Sequence, residues 1–156
     1  MKYVRQSIAV ILLFFSLGVI AETKLSVDSI NKMLNNIKKS VQQKDADKFA
    51  TYFTTGAKVR FEMPFSMGGN MNVNISQYVR MLKQGWALPV KYSYEVRDIQ
   101  IKISQDKKSA TVTDLTIESA EMDGKIIATT KTRETVEVII SNGVPKIRSL
   151  YGVVKL

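Results

Sequence analysis

The stretch KDADKFATYFTTGAKV, residues 44–59, decides how the chain begins to fold. Asp45 is a suitable N-cap for a helix, because its carboxylate can accept a hydrogen bond from a backbone N–H of the first turn. Gly56 favours the end of a helix, since glycine readily adopts the backbone angles needed there. We therefore predict a short helix that begins after Asp45, ends at Gly56 and carries three aromatic residues: Phe49, Tyr52 and Phe53.

The residues before this stretch have the spacing of an amphipathic helix. Ser26 is a suitable N-cap for it. Apolar side chains then recur at intervals of three, four and seven residues, which places them on one helix face: Val27, Ile30, Met33, Leu34, Ile37 and Val41. The predicted helix can therefore pack one face on a core and leave the other in water.

A β-hairpin and a third helix are predicted after this stretch. Apolar residues typical of strands flank a Gly-Gly-Asn turn at residues 68–70. Asn74 is followed three residues later by Gln77, which is the spacing of a capping box at the start of a helix. The first half of the chain is thus predicted to contain two helices, a hairpin and a third helix.

The residues after Pro89 have the alternating pattern of strands. Asp-Gly at 123–124 and Asn-Gly at 142–143 are typical of two-residue hairpin turns. We therefore predict a four-strand antiparallel meander, with strands at residues 92–103, 109–121, 125–140 and 145–155.

Two changes of parity interrupt the alternation of apolar residues in this meander. One occurs near Arg97 and Asp98 on the first strand, and the other at Asp114 and Leu115 on the second strand. One extra residue in a strand produces such a change, which is the signature of a β-bulge. We predict a bulge, and a bend of the sheet, at each place.

This order of elements resembles the nuclear transport factor 2-like superfamily of cystatin-like α+β domains. The superfamily includes ketosteroid isomerases, scytalone dehydratase, polyketide cyclases and many members without catalytic activity. Residues 44–59 resemble the segment in which its members pass from a small acidic turn through a short aromatic helix into the first strand. The resemblance implies a cone-shaped α+β fold, with three helices from the N-terminal half packed on a strongly bent antiparallel sheet. It also implies that residues 22–156 form a single domain.

The resemblance further implies a cavity among the second helix, the third helix and the concave sheet face. Eight aromatic residues are placed to line it: Phe49, Phe53, Phe61, Tyr78, Trp86, Tyr92, Tyr94 and Tyr151. The alternative is that most of them fill the core, as aromatic residues at helical or alternating spacing usually do.

The first 21 residues have the three parts of a secretory signal peptide. Lys2 and Arg5 form a basic region, an apolar stretch follows, and Val19 and Ala21 occupy positions −3 and −1 of a cleavage site. The apolar stretch at residues 7–21 is too short for a membrane-spanning helix, which needs about 20 residues. We expect cleavage after Ala21, export to the periplasm or the outside of a bacterial cell, and no membrane span in the mature chain.

The composition excludes several kinds of chemistry. The chain has no Cys and no His, so it lacks thiol nucleophiles, thiolate metal sites and the most common general base. Four methionines near the Gly-Gly turn are interpreted as adaptable apolar surface, because thioethers alone make a poor metal site: Met63, Met67, Met71 and Met81. We expect no cofactor and no metal. The net charge of +9 is dispersed along the chain, so nucleic-acid binding is not expected either.

Three carboxylates are candidates for acid–base catalysis: Asp98, Asp114 and Glu134. Asp98 and Asp114 lie at the predicted bulges, where side chains are often re-aimed, and Glu134 shares strand parity with apolar residues farther along its strand. In the ketosteroid isomerases, which the resemblance includes, an Asp base works with a Tyr and a protonated Asp. The alternative is that both aspartates face solvent and Glu134 pairs with Arg133 or Arg148, and this is the expectation for Glu134.

Together these observations favour binding over catalysis. We interpret the chain as an exported, non-catalytic binding domain with an apolar cavity or sheet face for a small apolar ligand or a protein partner. A cofactor-free isomerase or lyase of the ketosteroid isomerase type and a structural component of an envelope or secretion assembly stay open as alternatives. We also expect a homodimer through the exposed sheet face, with Ile127, Ile139 and Val154 pointing outward.

Overall fold

Three α-helices and six strands follow one another in residues 23–155, the part of the chain that the computed structural model describes. The predicted signal peptide, residues 1–21, lies outside the described residues. One turn of 3-10 helix, Phe65–Met67, lies between the first two strands. The elements in chain order are α1 (Val27–Gln42), α2 (Ala46–Ala50), β1 (Phe53–Glu62), β2 (Met71–Asn74), α3 (Ile75–Trp86), β3 (Lys91–Ile103), β4 (Ser109–Met122), β5 (Lys125–Ser141) and β6 (Val144–Lys155).

Helices α1 and α3 begin at the residues that the sequence indicates. Ser26 caps α1, and its side chain and that of Ser29 each accept a hydrogen bond from the other's backbone N–H. Asn74 and Gln77 form the predicted capping box at the start of α3. Both caps satisfy N–H groups that have no partner inside the helix, and they fix where each helix starts.

Helix α2 is shorter than the sequence predicts. It ends at Ala50, and Phe53 to Gly56 belong to strand β1 and not to the helix. Strand pairing explains the difference, because the backbone N–H of Ile147 donates to the carbonyl of Tyr52 and Phe53 pairs with Ile147 on β6. Pairing with β6 thus places these residues in a strand, although the local sequence pattern predicts a helix.

The sheet confirms the α+β fold class, with one parallel pair in an otherwise antiparallel arrangement. The strand order is β2-β1-β6-β5-β4-β3, so the sheet is open at both edges. β3 to β6 form the predicted meander, and β1 and β2 form the predicted hairpin. The hairpin adds to the meander by pairing β1 parallel to β6. The sequence pattern of the two segments does not reveal this long-range pair, which makes the sheet mixed.

Only the first of the two predicted bulges forms. Two residues of β3, Asp98 and Ile99, together face the single residue Asp114 of β4, and Asp98 has a φ of 54°. On β4 the pairing with β5 runs without a shift from Ser109 to Ala120, so the bulge predicted at Asp114 is wrong. The apparent change of parity has another cause: from Asp114 onward the inward positions are polar, and the apolar residues lie on the outer face.

The helices pack on one face of the sheet, and the core lies between the two layers. Val154 packs against this core, so the expectation that it points outward is wrong; alternation along β6 places it on the same face as Leu150 and Gly152. Within residues 23–155, no helix is both long and apolar enough to cross a bilayer.

Candidate functional site

A cavity of about 160 Å³ lies between the helices and the sheet. Its walls come from α1, α2, α3 and from strands β1, β3, β4, β5 and β6. Asn35 of α1 and Ile99 of β3 are the most exposed lining residues, and Lys38 lies beside them on α1. The mouth of the cavity is therefore between α1 and the bulge of β3.

Six of the eight aromatic residues that the sequence suggests line this cavity: Phe49, Phe53, Phe61, Tyr78, Trp86 and Tyr94. The rings of Phe49 and Phe53 are 5.0 Å apart, and the ring of Tyr78 lies 6.1 Å from Phe49 and 5.8 Å from Phe61, all between centroids. These tilted and edge-on contacts are the arrangements that aromatic pairs prefer. We call the six lining aromatic residues the aromatic wall. A role of any of them in binding stays a prediction.

Tyr92 and Tyr151 do not line the cavity. Tyr92 points toward the same face as Tyr94, and its hydroxyl donates a hydrogen bond to the Glu118 carboxylate. Tyr151 lies on the outer face of the sheet, where the Arg60 guanidinium is 5.6 Å from the centre of its ring. The alternation of β6 explains this position, because the neighbouring Gly152 faces inward.

Gly152 makes room for one of the aromatic rings. A Cβ atom at this position would lie 2.5 Å from two ring carbons of Phe61 and 2.8 Å from the Thr132 methyl carbon. Such distances are too short for carbon atoms, so the Phe61 ring lies directly against the backbone of β6. A glycine in the interior of a strand often marks a close approach of this kind.

Three carboxyl groups line the sheet side of the cavity: Asp114, Glu118 and Glu134. Asp114 and Glu134 are directly opposed in the pairing of β4 with β5. Glu118 is the residue that the sequence analysis missed. The signal was present, because Asp114, Thr116 and Glu118 occupy every second position of β4 and so share one face, but the predicted bulge obscured it. The third sequence candidate, Asp98, is exposed at the bulge and is not part of the lining.

Burial changes the acidity of two of these carboxyl groups. Asp114 is 4% exposed, and burial raises its pKa to about 6, although a hydrogen bond from the Thr116 hydroxyl (3.3 Å to Oδ1) and the charge of Arg133 limit the rise. Burial also raises the pKa of Glu134 well above its ordinary value, and the neighbouring Asp114 and Glu118 raise it further. Asp114 therefore exchanges its proton close to neutral pH, and Glu134 tends to keep its proton.

The expected ion pair of Glu134 does not form. Arg148 pairs with Glu137 instead, with 2.8 Å between Nε and Oε2. Arg133 is exposed, and as the residue next to Glu134 on a strand it points to the opposite face. The alternation of β5 turns Glu134 into the cavity, away from both arginines.

The cavity tyrosines are held in the protonated form. Burial raises the pKa of Tyr78 and of Tyr94, and the charge of Glu134 raises both further. Burial and the Glu118 carboxylate do the same for the pKa of Tyr92. The phenol groups are thus hydrogen-bond donors at any physiological pH.

The carboxyl and phenol groups that line the cavity can donate and accept hydrogen bonds, transfer a proton, or balance a positive charge. Within residues 23–155, no group of three or more Asp or Glu side chains is arranged to hold a metal ion. An apolar cavity with a few convergent polar groups and perturbed carboxyl groups is typical of a site for a small molecule.

Comparison with solved structures identifies the architecture. The β subunit of benzoate 1,2-dioxygenase from Burkholderia mallei superposes with a TM-score of 0.68 at 16% identity, covering 84% of this chain and 91% of that one. A candidate scytalone dehydratase from Novosphingobium aromaticivorans gives 0.65 at 14% identity, covering 83% of both chains. A nuclear transport factor 2-like protein of unknown function in nutrient uptake, from Rhodospirillum rubrum, gives 0.63 at 14% identity, covering 81% and 98%. The chain has the nuclear transport factor 2-like fold.

The nuclear transport factor 2-like fold was the one that residues 44–59 and the order of elements suggested, and this expectation is confirmed. No family model and no curated protein matches the sequence. Similarity at this level of identity extends to the fold alone, so the function has to be argued from the residues of the cavity.

Proposed function

We propose that the chain is a binding protein whose cavity takes a small, largely apolar molecule. The molecule's apolar part would lie against the aromatic wall, and its polar group would lie against Asp114 and Glu134. The observation that carries the proposal is the combination of an aromatic-walled cavity with an almost fully buried carboxyl group, that of Asp114, on its sheet side. Such a group limits what binds, because its partner must replace the lost contact with water.

The size of the cavity supports a small ligand. An engineered cavity of about 150 Å³ in another protein holds a benzene molecule. The volume here, about 160 Å³, is close to that value, and the mouth can accommodate a substituent that extends beyond it. A single substituted aromatic or alicyclic ring is therefore the expected size of the apolar part.

Trp86 provides a direct test, because it is the only tryptophan in the sequence and it lines the cavity. Titration of the purified protein with tert-butylbenzene should change the Trp86 emission and saturate with one molecule bound. Leu34→Phe, which adds volume to the lining, should weaken binding at least tenfold. The matched substitution Leu88→Phe, at an exposed position outside the lining, should leave the dissociation constant unchanged. Absence of a saturable change in the unsubstituted protein would refute the proposal.

A cofactor-free isomerase or lyase is the second candidate function. The pKa of Asp114, raised by burial to about 6, supports it, since a general base works best with a pKa near the operating pH. Asp114 would take a proton from a carbon next to a carbonyl group, and the Tyr94 hydroxyl would donate a hydrogen bond to the oxygen on which negative charge develops.

Hydrogen–deuterium exchange into a bound cyclic ketone tests this second candidate. If it is right, exchange should rise with pH through about 6 as Asp114 ionises, and Asp114→Asn should reduce it at least a hundredfold. Asp98→Asn is the matched control, because Asp98 is exposed outside the cavity. Exchange that is equal in the two variants would remove Asp114 from catalysis and leave the binding function as proposed.

Export and self-association are also part of the proposal. The signal peptide predicted at residues 1–21 supports a location in the periplasm or outside the cell. Outward apolar residues on the sheet, including Ile127 (54% exposed) and Ile139, support a homodimer through that face. The similarity to a dioxygenase β subunit, a component of a larger enzyme, supports assembly in a general way.

A further inference from the structure

The charges that line the cavity are unbalanced. Among the described lining residues, three carboxyl groups (Asp114, Glu118 and Glu134) face one cationic side chain, Lys38. Lys38 lies at the mouth and also acts on Glu95, whose pKa is lowered first by Arg97 and further by Lys38. The sheet side of the cavity therefore carries acidic groups without a basic partner among the described residues that line it.

Asp114 is the most buried of the three carboxyl residues. Its side chain is almost fully buried and faces the cavity, and its Oδ1 atom accepts the hydrogen bond from Thr116. The Thr116 hydroxyl is the one side-chain donor to Asp114 among residues 23–155. Because Asp114 has lost nearly all of its contact with water, a ligand group that donates a hydrogen bond or carries a positive charge would stabilise its carboxylate.

Aromatic rings lie beside the carboxyl groups in the cavity lining. Rings of Tyr78, Trp86 and Tyr94 line the same cavity as the carboxyl groups, and the faces of such rings attract organic cations. The three carboxyl groups are not arranged to chelate a metal ion in the described part of the chain. They surround a space large enough for a ring with a substituent, so a bulky cation with diffuse charge fits better than a small ion.

We propose that the polar group of the ligand is a cation, and that the cavity selects small organic amines or quaternary ammonium compounds with an apolar body. This inference rests on the proposed binding function and names the class of molecule bound. General attraction to the surface does not produce such a preference, because the whole chain has a net charge of +9 and repels cations.

Two probes of the same shape test the inference. Phenyltrimethylammonium carries a permanent positive charge, and tert-butylbenzene is its neutral counterpart. Their dissociation constants are measured from the Trp86 emission at pH 8. The cation should bind about tenfold tighter or more, which is the size of effect expected for a desolvated cation against aromatic rings and a carboxylate.

Matched variants locate the preference. Asp114→Asn should reduce the preference for the cation to about threefold or less and leave binding of tert-butylbenzene unchanged. Glu134→Gln should reduce the preference less than Asp114→Asn, because Glu134 tends to keep its proton. Asp98→Asn removes the same charge at an exposed site outside the cavity and should leave the preference intact. Thermal melting of each variant establishes that it is folded before the binding constants are compared.

The pH dependence gives a further readout. Because burial raises the pKa of Asp114 to about 6, protonation should weaken binding of phenyltrimethylammonium as the pH falls from 7 to 5, whereas binding of tert-butylbenzene should not change. The charged and titratable groups around Asp114 come from every neighbouring element: Glu118 on β4, Glu134 and Arg133 on β5, Tyr94 on β3, Tyr78 on α3 and Lys38 on α1.

The outcomes separate the two proposals. If neither probe binds, the proposed function fails and the inference fails with it. If tert-butylbenzene binds as tightly as the cation, or if Asp98→Asn reduces the preference as much as Asp114→Asn, the inference is overturned and the binding function stands. A preference for the cation that Asp114→Asn removes and Asp98→Asn leaves intact supports both.

Discussion

Asp114 is held in the folded protein at the expense of stability. A folded protein is less stable when one of its carboxylates loses contact with water. Asp114 has lost nearly all of that contact. Thr116 returns one hydrogen bond, which is less than a carboxylate makes in water. A cavity residue that destabilises the fold is more easily explained by binding or catalysis than by packing.

The pH dependence of stability should reveal this residue. Asp114 has a pKa of about 6 in the folded protein against an ordinary value of 3.8, so the folded state loses stability as the pH rises from 3.8 to about 6. Asp114→Asn should therefore raise the free energy of unfolding at pH 8 by up to about 3 kcal/mol, and the melting temperature by about 5 °C or more. At pH 4 the variant and the original protein should melt together. A variant that melts lower at pH 8 would contradict the buried-charge explanation.

Glu134 should respond differently from its neighbour Glu137. Glu134 has no arginine partner and tends to keep its proton, so Glu134→Gln should leave the melting temperature at pH 7 unchanged or raise it. Glu137→Gln is the matched control, and loss of its exposed pair with Arg148 should lower stability by at most about 1 kcal/mol. A clear loss of stability in Glu134→Gln alone would indicate a structural pair after all.

At the scale of the elements, strands β1, β6 and β5 meet at Gly152. The Phe61 ring from β1 and the Thr132 methyl group from β5 both lie against the backbone of β6 at this residue. The contact couples the parallel pair β1–β6 to the meander. It also sets the position of one wall of the cavity, because Phe61 is a lining residue.

Substitution of Gly152 tests this contact. Gly152→Ala should lower the free energy of unfolding by about 1–3 kcal/mol, the usual range for overpacking a core, as judged by urea denaturation. Phe61→Leu in the same chain should recover part of the loss, since it removes the ring atoms that the new Cβ meets. Gly56→Ala is the matched control, because nothing lies within 4 Å of a Cβ there and no loss is expected. If Gly152→Ala is neutral, the ring does not depend on the glycine.

The elements also differ in how well the sequence predicts them. Local patterns predict the caps of α1 and α3, the two hairpin turns and all four meander strands. The caps lie at the predicted residues, and each meander strand begins and ends within about two residues of its prediction. The end of α2 and the parallel pair β1–β6 depend on contacts between distant segments, which no local pattern contains. Glu118 was missed because polar residues occupy inward positions of β4, and in the sequence this pattern looks the same as a change of strand register.

At the scale of the whole molecule, the outer face of the sheet should form a homodimer. Light scattering at about 100 µM should give twice the monomer mass, since exposed apolar residues on an open sheet face favour association. Ile139→Lys should shift the mass toward the monomer, whereas Val27→Lys, at an exposed position on α1, should not. A monomer mass in the unsubstituted protein at this concentration counts against the dimer.

Export should be visible in the mass of the mature chain. Protein recovered from its native host should begin at Glu22, because Val19 and Ala21 fit the positions before a cleavage site. Intact-mass measurement distinguishes this product from the full-length chain, and cell fractionation places it. A full-length product held in the membrane would contradict cleavage and favour a role in an envelope assembly.

The bulge of β3 gives the cavity a property that no side chain could provide. Asp98 is the one additional residue opposite Asp114, and the pairing of β3 with β4 is regular on both sides of it. Deleting that single codon would bring Ile99 into line with Asp114 and leave the remaining partners of both strands as they are. Evolution or a designer could thus alter the curvature of the site by changing the length of the chain, while every residue that lines the site keeps its identity.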